Sequence, residues 1–242
     1  MHLLNKYIHN PVLIVSATMA EVEPLFKLAS NWDEIDPYVF RIEIGNNFLH
    51  LLITGVGVPS TVFHVSSLLS IAKFSMLINI GIAGSYSSDI ENGNVVLISE
   101  DCYGDLGIER KSGFISLFEA GLTNPNHSPF IEGKLIHKVN VNVNFPNNIR
   151  KVKGLTVNVV TSNNAINEFR KKKFNAEVET MESAAVFYCC LEKGTPFLSL
   201  RGISNKVGEE DKSKWLITEA IQNSCNALIE ILDKNNFFIN EA

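Results

Sequence analysis

The 242-residue sequence predicts an α/β fold built on a largely parallel sheet. Two observations support this prediction. Apolar runs of strand length alternate along the chain with segments in which apolar residues recur at helical spacing. No linker or low-complexity tract divides the chain, and its length suits one large α/β domain. We therefore expect residues 1–242 to form a single domain.

The first third of the chain predicts a strand, a helix and a hairpin. Residues 12–17 form a continuous apolar run, which is typical of a strand buried on both faces. Apolar residues at helical spacing over 18–30 predict a helix directly after it. Residues 38–44 and 48–54 predict two strands, and the residues at 45–47 are typical of a hairpin turn.

The middle of the chain predicts one helix, two strands and a long excursion. The helix covers 59–74, with Pro59 in its first turn, where a missing N–H is tolerated. Residues 76–80 and 95–100 predict buried strands. The stretch from 102 to about 150 contains several Gly, Pro, Asn and Ser residues and few strong elements. We expect this excursion to cover the site or to form an interface.

The last third resumes the alternation of strands and helices. The predicted elements, in order, are a strand over 153–161, a basic helix over 165–174, an apolar helix over 184–192, a buried strand over 196–201 and a closing amphipathic helix over 212–232.

Composition excludes several classes of function. The net charge of −5, from 21 basic and 26 acidic residues, does not favour nucleic-acid binding. No apolar run approaches the ~20 residues that span a bilayer. The cysteines and histidines have no metal-ligand spacing, so we expect neither a metal nor a cofactor, and free thiols in a reducing cytoplasm. The cysteines are Cys102, Cys189, Cys190 and Cys225.

Three polar residues follow predicted strands: Glu21, Glu182 and Asn205. In an open α/β sheet, ligands bind outside the carboxyl ends of strands. A carboxylate can hold and deprotonate water or bridge two vicinal hydroxyls, and an amide both donates and accepts. Taken alone, each residue is more typical of an ordinary helix start or loop. Their shared position past different strands predicts a site for one small molecule, which we interpret as a purine nucleoside.

Two glycine pairs also follow apolar strands, Gly55 with Gly57 and Gly81 with Gly84. Glycine lets a backbone approach a ligand closely, but tight strand–helix packing is the more usual explanation for either pair taken alone. Neither pair completes a dinucleotide-binding or P-loop motif, and no G-x-S-x-G sequence supports a hydrolase triad.

Four segments together resemble the nucleoside phosphorylase and nucleosidase superfamily. They are 80–85 (IGIAGS), 91–96 (ENGNVV), 180–185 (TMESAA) and 201–205 (RGISN). The resemblance extends over about 12–232. It implies a three-layer α/β/α sandwich around a mixed, partly barrel-like sheet, and a homodimer or larger homo-oligomer. Residues 181–188, 195–198 and 203–205, with Trp215, are similar to the futalosine hydrolase branch of that superfamily.

The resemblance also assigns roles to individual residues. Glu21 matches the glutamate that activates water in nucleosidases. Met181 and Glu182 match the pair that contacts the ribose, and Ala83 and Gly84 match the turn that lines the pocket. The segment before Glu21 lacks the arginine with which phosphorylases of this superfamily hold phosphate, which favours water as the nucleophile.

Two positions depart from the superfamily pattern. Asn205 stands where adenine-specific nucleosidases carry an aspartic acid that protonates N7. An amide cannot supply that proton, but its NH₂ can donate to a 6-oxopurine. Ser183 stands where glycine is expected, a change that we expect to be tolerated. The sequence therefore predicts hydrolysis of futalosine with release of hypoxanthine.

Other functions remain open at this point. They are an adenine-releasing nucleosidase, a purine nucleoside phosphorylase and a non-catalytic nucleoside-binding module. Futalosine also carries a benzoate group, for which Arg110, Lys111, Arg201 and Lys206 are the candidate cations, and Phe114 and Phe118 the candidate aromatic cover.

Overall fold

A computed structural model describes residues 11–28, 31–44, 47–111, 113–137, 143–146 and 149–235. Most of the predicted turn at 45–47 and parts of the predicted excursion lie outside the described residues.

Twelve strands are described. They are β1 (Val12–Ser16), β2 (Asp33–Asp36), β3 (Val39–Ile44), β4 (Asn47–Ile53), β5 (Met76–Ser85), β6 (Val95–Asp101), β7 (Gly107–Arg110), β8 (Gly113–Ser116), β9 (Leu135–Ile136), β10 (Arg150–Thr156), β11 (Val178–Thr180) and β12 (Phe197–Lys206). The α-helices are α1 (Glu23–Leu28), α2 (Val58–Ile71), α3 (Asn164–Phe174), α4 (Ser183–Lys193) and α5 (Ile217–Lys234), and short 3₁₀ turns cover Ala20–Val22 and Lys212–Lys214.

The central sheet is mixed and has ten strands. Its order is β11-β10-β6-β12-β5-β1-β4-β3-β2, with β9 paired to β6. The pairs among β4, β1, β5 and β12 are parallel, whereas β12 and β6 are antiparallel. β11 pairs with β10 and also, antiparallel, with β5, so five strands close on themselves. This closure confirms the expected mixed, partly barrel-like sheet.

Helices cover both faces of the sheet, which confirms the three-layer sandwich. In β1, Leu13 and Val15 belong to a core that includes Phe187 of α4, whereas Ile14 on the opposite face packs with Leu228 of α5. Successive strand residues point to opposite faces, so a strand buried on both faces is apolar throughout. None of the helices in the described ranges combines the length and hydropathy that a bilayer-spanning segment needs.

Two strands are longer than the sequence predicts. β5 and β12 each run for ten residues, and they continue through Gly81 and Gly202, the glycines that follow the predicted strands 76–80 and 196–201. A Cβ on Gly81 would lie 2.6 Å from Glu21 Oε1, and one on Gly202 would lie 2.0 Å from the Ala220 carbonyl oxygen. Glycine is therefore needed at these two strand positions because a neighbouring group occupies the space that a Cβ would fill. The prediction that both strands end before these glycines was wrong.

The loops also differ from the prediction. The strand predicted over 153–161 ends at Thr156, and residues 157–163 form a loop. β2 was missed because its sequence, DEID, is mostly acidic and wholly exposed. The excursion contains the β7–β8 hairpin and β9, which pairs with β6.

Candidate active site

A cavity of about 560 Å³ lies at the carboxyl ends of β1, β5, β11 and β12. The residues predicted for the site all line it, together with others from the loops beyond the strands. The predicted residues are Glu21, Ala83, Gly84, Met181, Glu182 and Asn205. Their positions are those that the rule for open α/β sheets requires. The topology thus brings together residues that are far apart in sequence.

Glu21 lies in the 3₁₀ turn after β1, and its carboxylate is held on both oxygens. Oε2 accepts hydrogen bonds from Ser16 Oγ (3.3 Å), the Thr18 N–H (3.1 Å) and Thr18 Oγ1 (3.1 Å). Oε1 accepts from the Ile82 N–H of β5 (3.1 Å). Gly81 leaves the space for Oε1. Every bond is donated to the carboxylate, and together these bonds fix it against the wall of the cavity.

The neighbouring glutamate shows that the helix face decides which acid reaches the site. Glu23 begins α1 and forms an exposed (i, i+4) ion pair with Lys27 at 3.0 Å. Of these two acids, Glu21 lines the cavity and Glu23 does not.

Glu182 directly precedes α4 and is 9% exposed. Its Oε1 accepts from the Gly57 N–H at 2.9 Å. Gly57 has φ of +90°, a conformation that side chains disfavour. Burial raises the pKa of Glu182, and the bond from Gly57 and the positive charge of Arg201 oppose that rise. The weak glycine signal at 55–57 therefore corresponds to a backbone donor that positions a carboxylate.

Asn205 lies inside β12, next to an irregularity in its pairing with β5. Oδ1 accepts from Ser204 Oγ at 2.7 Å, and Nδ2 donates to the Lys206 carbonyl at 2.9 Å. These two contacts set which end of the amide is the donor. Nδ2 carries a second hydrogen and would lie 3.6 Å from a Cβ on Gly84, the residue of β5 that pairs with Asn205.

A buried polar network lies beneath the cavity. Ser183 is fully buried, and its Oγ lies 3.3 Å from Ser199 Oγ, which in turn donates to Asn79 Oδ1. Asn79 Oδ1 also accepts from Arg201 Nη2. The hydroxyl of Ser183 is therefore paired, which explains how serine is accommodated where glycine was expected.

Arg201 is buried and is not in the cavity lining. Burial lowers its pKa, and the carboxylates of Glu182, Glu21 and Asp101 act in the opposite direction. The positive charge of Arg201 therefore interacts electrostatically with the carboxylates of the site. Because its side chain is buried outside the cavity lining, Arg201 cannot hold a benzoate group.

The other benzoate candidates also lie elsewhere. Lys206 Nζ donates to the backbone carbonyls of Ser87 and Ile90. Arg110 and Lys111 lie on or next to the β7–β8 hairpin and do not line the cavity. Phe114 and Phe118 pack on Phe174 and Phe130, also away from the lining. Lys212 is the basic residue among the described lining residues. Its side chain is exposed, and the sequence analysis does not predict it.

The sequence analysis also does not predict Glu179, which lines the cavity beside Met181. Glu179 is 5% exposed and forms an ion pair with Arg170 of α3, N–O distance 3.3 Å. The Tyr86 hydroxyl donates to the same carboxylate. Arg170 lies in the helix that the sequence predicts as basic, yet it is only 7% exposed. Its neighbours Lys171 and Lys172 mask the signal, because the run KKK after it is typical of a surface.

The described residues contain no group of three His, Cys, Asp or Glu side chains arranged to hold a metal. The four cysteines are free and buried. His50 is buried among Phe48 and Phe74 and is not part of the cavity.

The sandwich, the partial closure of its sheet and the cavity at the strand ends define a nucleoside phosphorylase-like α/β protein. The chain belongs to the Phosphorylase superfamily, whose family profile matches residues 11–234.

Known relatives are similar over most of the chain. A 5′-methylthioadenosine/S-adenosylhomocysteine nucleosidase of Buchnera aphidicola is 26% identical over 227 residues, which cover 90% of this chain and 88% of the relative. A futalosine hydrolase of Thermus thermophilus is 25% identical over 215 residues, covering 85% and 92%. The structure of a 5′-methylthioadenosine/S-adenosylhomocysteine nucleosidase from S. pneumoniae matches with a TM-score of 0.76 at 19% identity, covering 93% of this chain and 99% of that one.

Proposed function

We propose that this protein is a nucleosidase that hydrolyses the N-ribosidic bond of futalosine and releases hypoxanthine, a reaction of menaquinone biosynthesis. The observation that carries the proposal is the position of Glu21. Its carboxylate accepts hydrogen bonds from the backbone N–H groups of Thr18 and Ile82. Free N–H groups at such a turn would attract an anion. Here an acid fills them, so phosphate is repelled and water is the favoured nucleophile.

The remaining residues fit the two ends of a ribosidic bond. Gly57 holds one oxygen of Glu182, which leaves the other oxygen to accept the ribose 2′ and 3′ hydroxyls. Met181 packs beside the sugar. Glu21 acts as general base toward water, an effect typically of ~10²–10⁴-fold. Asn205 stabilises the negative charge that develops on the leaving purine.

The orientation of Asn205 supports a 6-oxopurine. Because Ser204 donates to Oδ1, the free hydrogen of Nδ2 is what the side chain offers to a ligand. A donor matches O6 of hypoxanthine, whereas N7 accepts a hydrogen bond in either base. At position 6 adenine presents its own amino group, and two donors that face each other leave buried groups unpaired.

An adenine-releasing nucleosidase is the second candidate. The Buchnera aphidicola relative is a 5′-methylthioadenosine/S-adenosylhomocysteine nucleosidase, and its sequence identity to this chain is about the same as that of the Thermus thermophilus futalosine hydrolase. The decisive experiment is incubation of the purified protein, without phosphate, with futalosine, aminodeoxyfutalosine, methylthioadenosine and inosine. Chromatography for free bases should show hypoxanthine from futalosine. Adenine as the main product would favour the second candidate. Turnover that requires phosphate would identify a phosphorylase, and no base from any substrate would favour a binding module.

We further propose a homodimer or larger homo-oligomer in the cytoplasm. Phe63 on α2 is 66% exposed, and Val56, which lines the cavity, is 53% exposed. Large exposed apolar side chains support an interface where they form one continuous patch. The buried free thiols suit a reducing compartment. Light scattering coupled to size-exclusion chromatography should give at least twice the 26.9 kDa chain mass; a monomer at micromolar concentration would contradict the proposal.

A further inference from the structure

The loop of residues 157–163, here called the rim loop, borders the cavity between β10 and α3. Val160, Thr161 and Ser162 line the cavity, and the side chain of Val160 is 56% exposed. An apolar side chain that is exposed in the wall of a cavity becomes buried when a ligand enters. The position of the rim loop therefore affects how well a ligand is held.

Helix α3 holds two carbonyl groups of the rim loop. Arg170 Nη1 donates to the Val159 carbonyl at 3.0 Å. Asn167, one turn earlier on the same face of α3, donates from Nδ2 to the Thr161 carbonyl at 3.0 Å. The two tethers flank Val160, so the lining residue is fixed on both sides.

The first tether is itself held by a buried pair. Arg170 forms its ion pair with Glu179, which also accepts from Tyr86. Both charged side chains are more than nine-tenths buried. Breaking a buried ion pair leaves an uncompensated charge, so the guanidinium has one strongly preferred position. Such a pair is better suited to fixing a loop than a surface contact is.

The second tether reaches another part of the cavity wall. Gly208 lines the cavity, and a Cβ on it would lie 2.8 Å from Asn167 Nδ2. Asn167 is 5% exposed and therefore packs between the rim loop and the segment that follows β12.

We propose that Arg170 and Asn167 are positioning residues that fix the rim loop for nucleoside binding. Neither side chain lines the cavity, and both act through the carbonyls of Val159 and Thr161. The inference rests on the proposed nucleosidase function. It assigns to α3 a role in substrate affinity that the basic sequence of this helix does not suggest.

The kinetic test uses two variants of the full chain. Arg170→Lys keeps a positive charge beside Glu179 but cannot donate to two partners in the same way. Asn167→Leu removes the other tether without burying an unpaired charge. Each should raise KM for futalosine about ten-fold, with kcat changed by less than about three-fold. A purely structural role would lower the melting temperature and the active fraction, and would leave KM unchanged.

Arg150→Lys is the matched control, because Arg150 forms an ion pair with Glu177 that is more exposed and makes no described contact with the rim loop. It should leave KM as in the wild type. Hydrogen–deuterium exchange supplies a readout that is independent of activity: amides of 157–163 should exchange faster in both tether variants than in the control.

The outcomes separate the two proposals. If the wild type releases hypoxanthine from futalosine but neither KM nor rim-loop exchange changes in the variants, the inference is wrong and the proposed function stands. If the wild type releases no base from any nucleoside, the proposed function fails and the role in substrate affinity fails with it.

Discussion

At the residue scale, Glu21 and Glu23 are the same residue type, but their side chains face different surroundings. Glu21 accepts four hydrogen bonds at the cavity wall, whereas Glu23 pairs with Lys27 in solvent. The two residues therefore provide a test and its control within one short segment.

We predict that Glu21→Gln lowers kcat by ~10²–10⁴-fold, because an amide cannot accept the proton of water. KM should change little. The amide NH₂ must face one of the donors that now bind the carboxylate, so a loss of about 1–3 kcal/mol in stability accompanies the change. Steady-state kinetics and denaturant unfolding measure both effects. Glu23→Gln should match the wild type in rate, and normal turnover by Glu21→Gln would refute the base assignment.

Asn205→Asp should shift the preference toward adenine nucleosides. One carboxyl oxygen would take the place of Nδ2 and face the Lys206 carbonyl, which favours a protonated acid there. Once adenine is bound, that acid can donate its single proton to N7 in place of the Lys206 carbonyl. We expect the ratio of kcat/KM for methylthioadenosine to that for futalosine to rise at least about ten-fold.

The control for this change is Asn163→Asp. Asn163 caps α3 through its side-chain oxygen, a role that aspartate also fulfils. It should not change the substrate ratio. An unchanged ratio in the Asn205 variant would mean that this residue does not select the base.

At the scale of elements, the junction before α2 is as important as the strands. Gly57 is the N-cap of α2, with φ of +90° and ψ of 166°, a region that is essentially limited to glycine. Its N–H is the described donor to Glu182 Oε1. The conformation of one turn thus sets the position of a carboxylate that is 125 residues away in sequence.

Gly57→Ala should destabilise the protein by about 1–3 kcal/mol and raise KM, because the strained turn moves the donor away from Glu182. Gly194→Ala is the matched control. Gly194 ends α4 with φ of +64°, and an added Cβ would meet no atom within 4 Å. It should lower the melting temperature and leave KM unchanged. Equal KM in both variants would show that Gly57 serves the backbone alone.

At the scale of the whole molecule, burial in the sheet makes stability sensitive to acid. His50 lies in β4, is 2% exposed and has no described hydrogen-bond partner on either ring nitrogen. Burial, together with the positive charge of Arg41, lowers its pKa to about 4. Between pH 6.5 and 4 the unfolded chain binds a proton that the folded chain does not. The contribution of His50 is therefore complete above pH 6.5 and is lost as the pH falls toward 4.

We predict that, over this interval, the free energy of unfolding of the wild type falls by about 3 kcal/mol more than that of His50→Leu. Denaturant unfolding at several pH values, with pH 7.5 as the reference, measures the difference between the two proteins. Parallel pH profiles for both would show that His50 is not the source of the acid sensitivity.

The sequence by itself determined the alternation of elements, the three-layer sandwich and the identity of the groups at the strand ends. Apolar runs, acid positions and the amide at 205 are local properties, and the superfamily resemblance gave them an order. Local patterns could not show that β5 and β12 continue through their glycines, because the atoms that fill the missing Cβ positions belong to Glu21 and Ala220.

The tertiary structure alone decided which groups meet. Pairing of β11 with both β10 and β5 brings Glu179 and Glu182 to the cavity. It also decided that Arg170 is buried, although the surrounding lysines are typical of a surface. The physical reason is that a contact such as Ile82 to Glu21, 61 residues apart, depends on the packing of the whole sheet and not on the residues beside either partner.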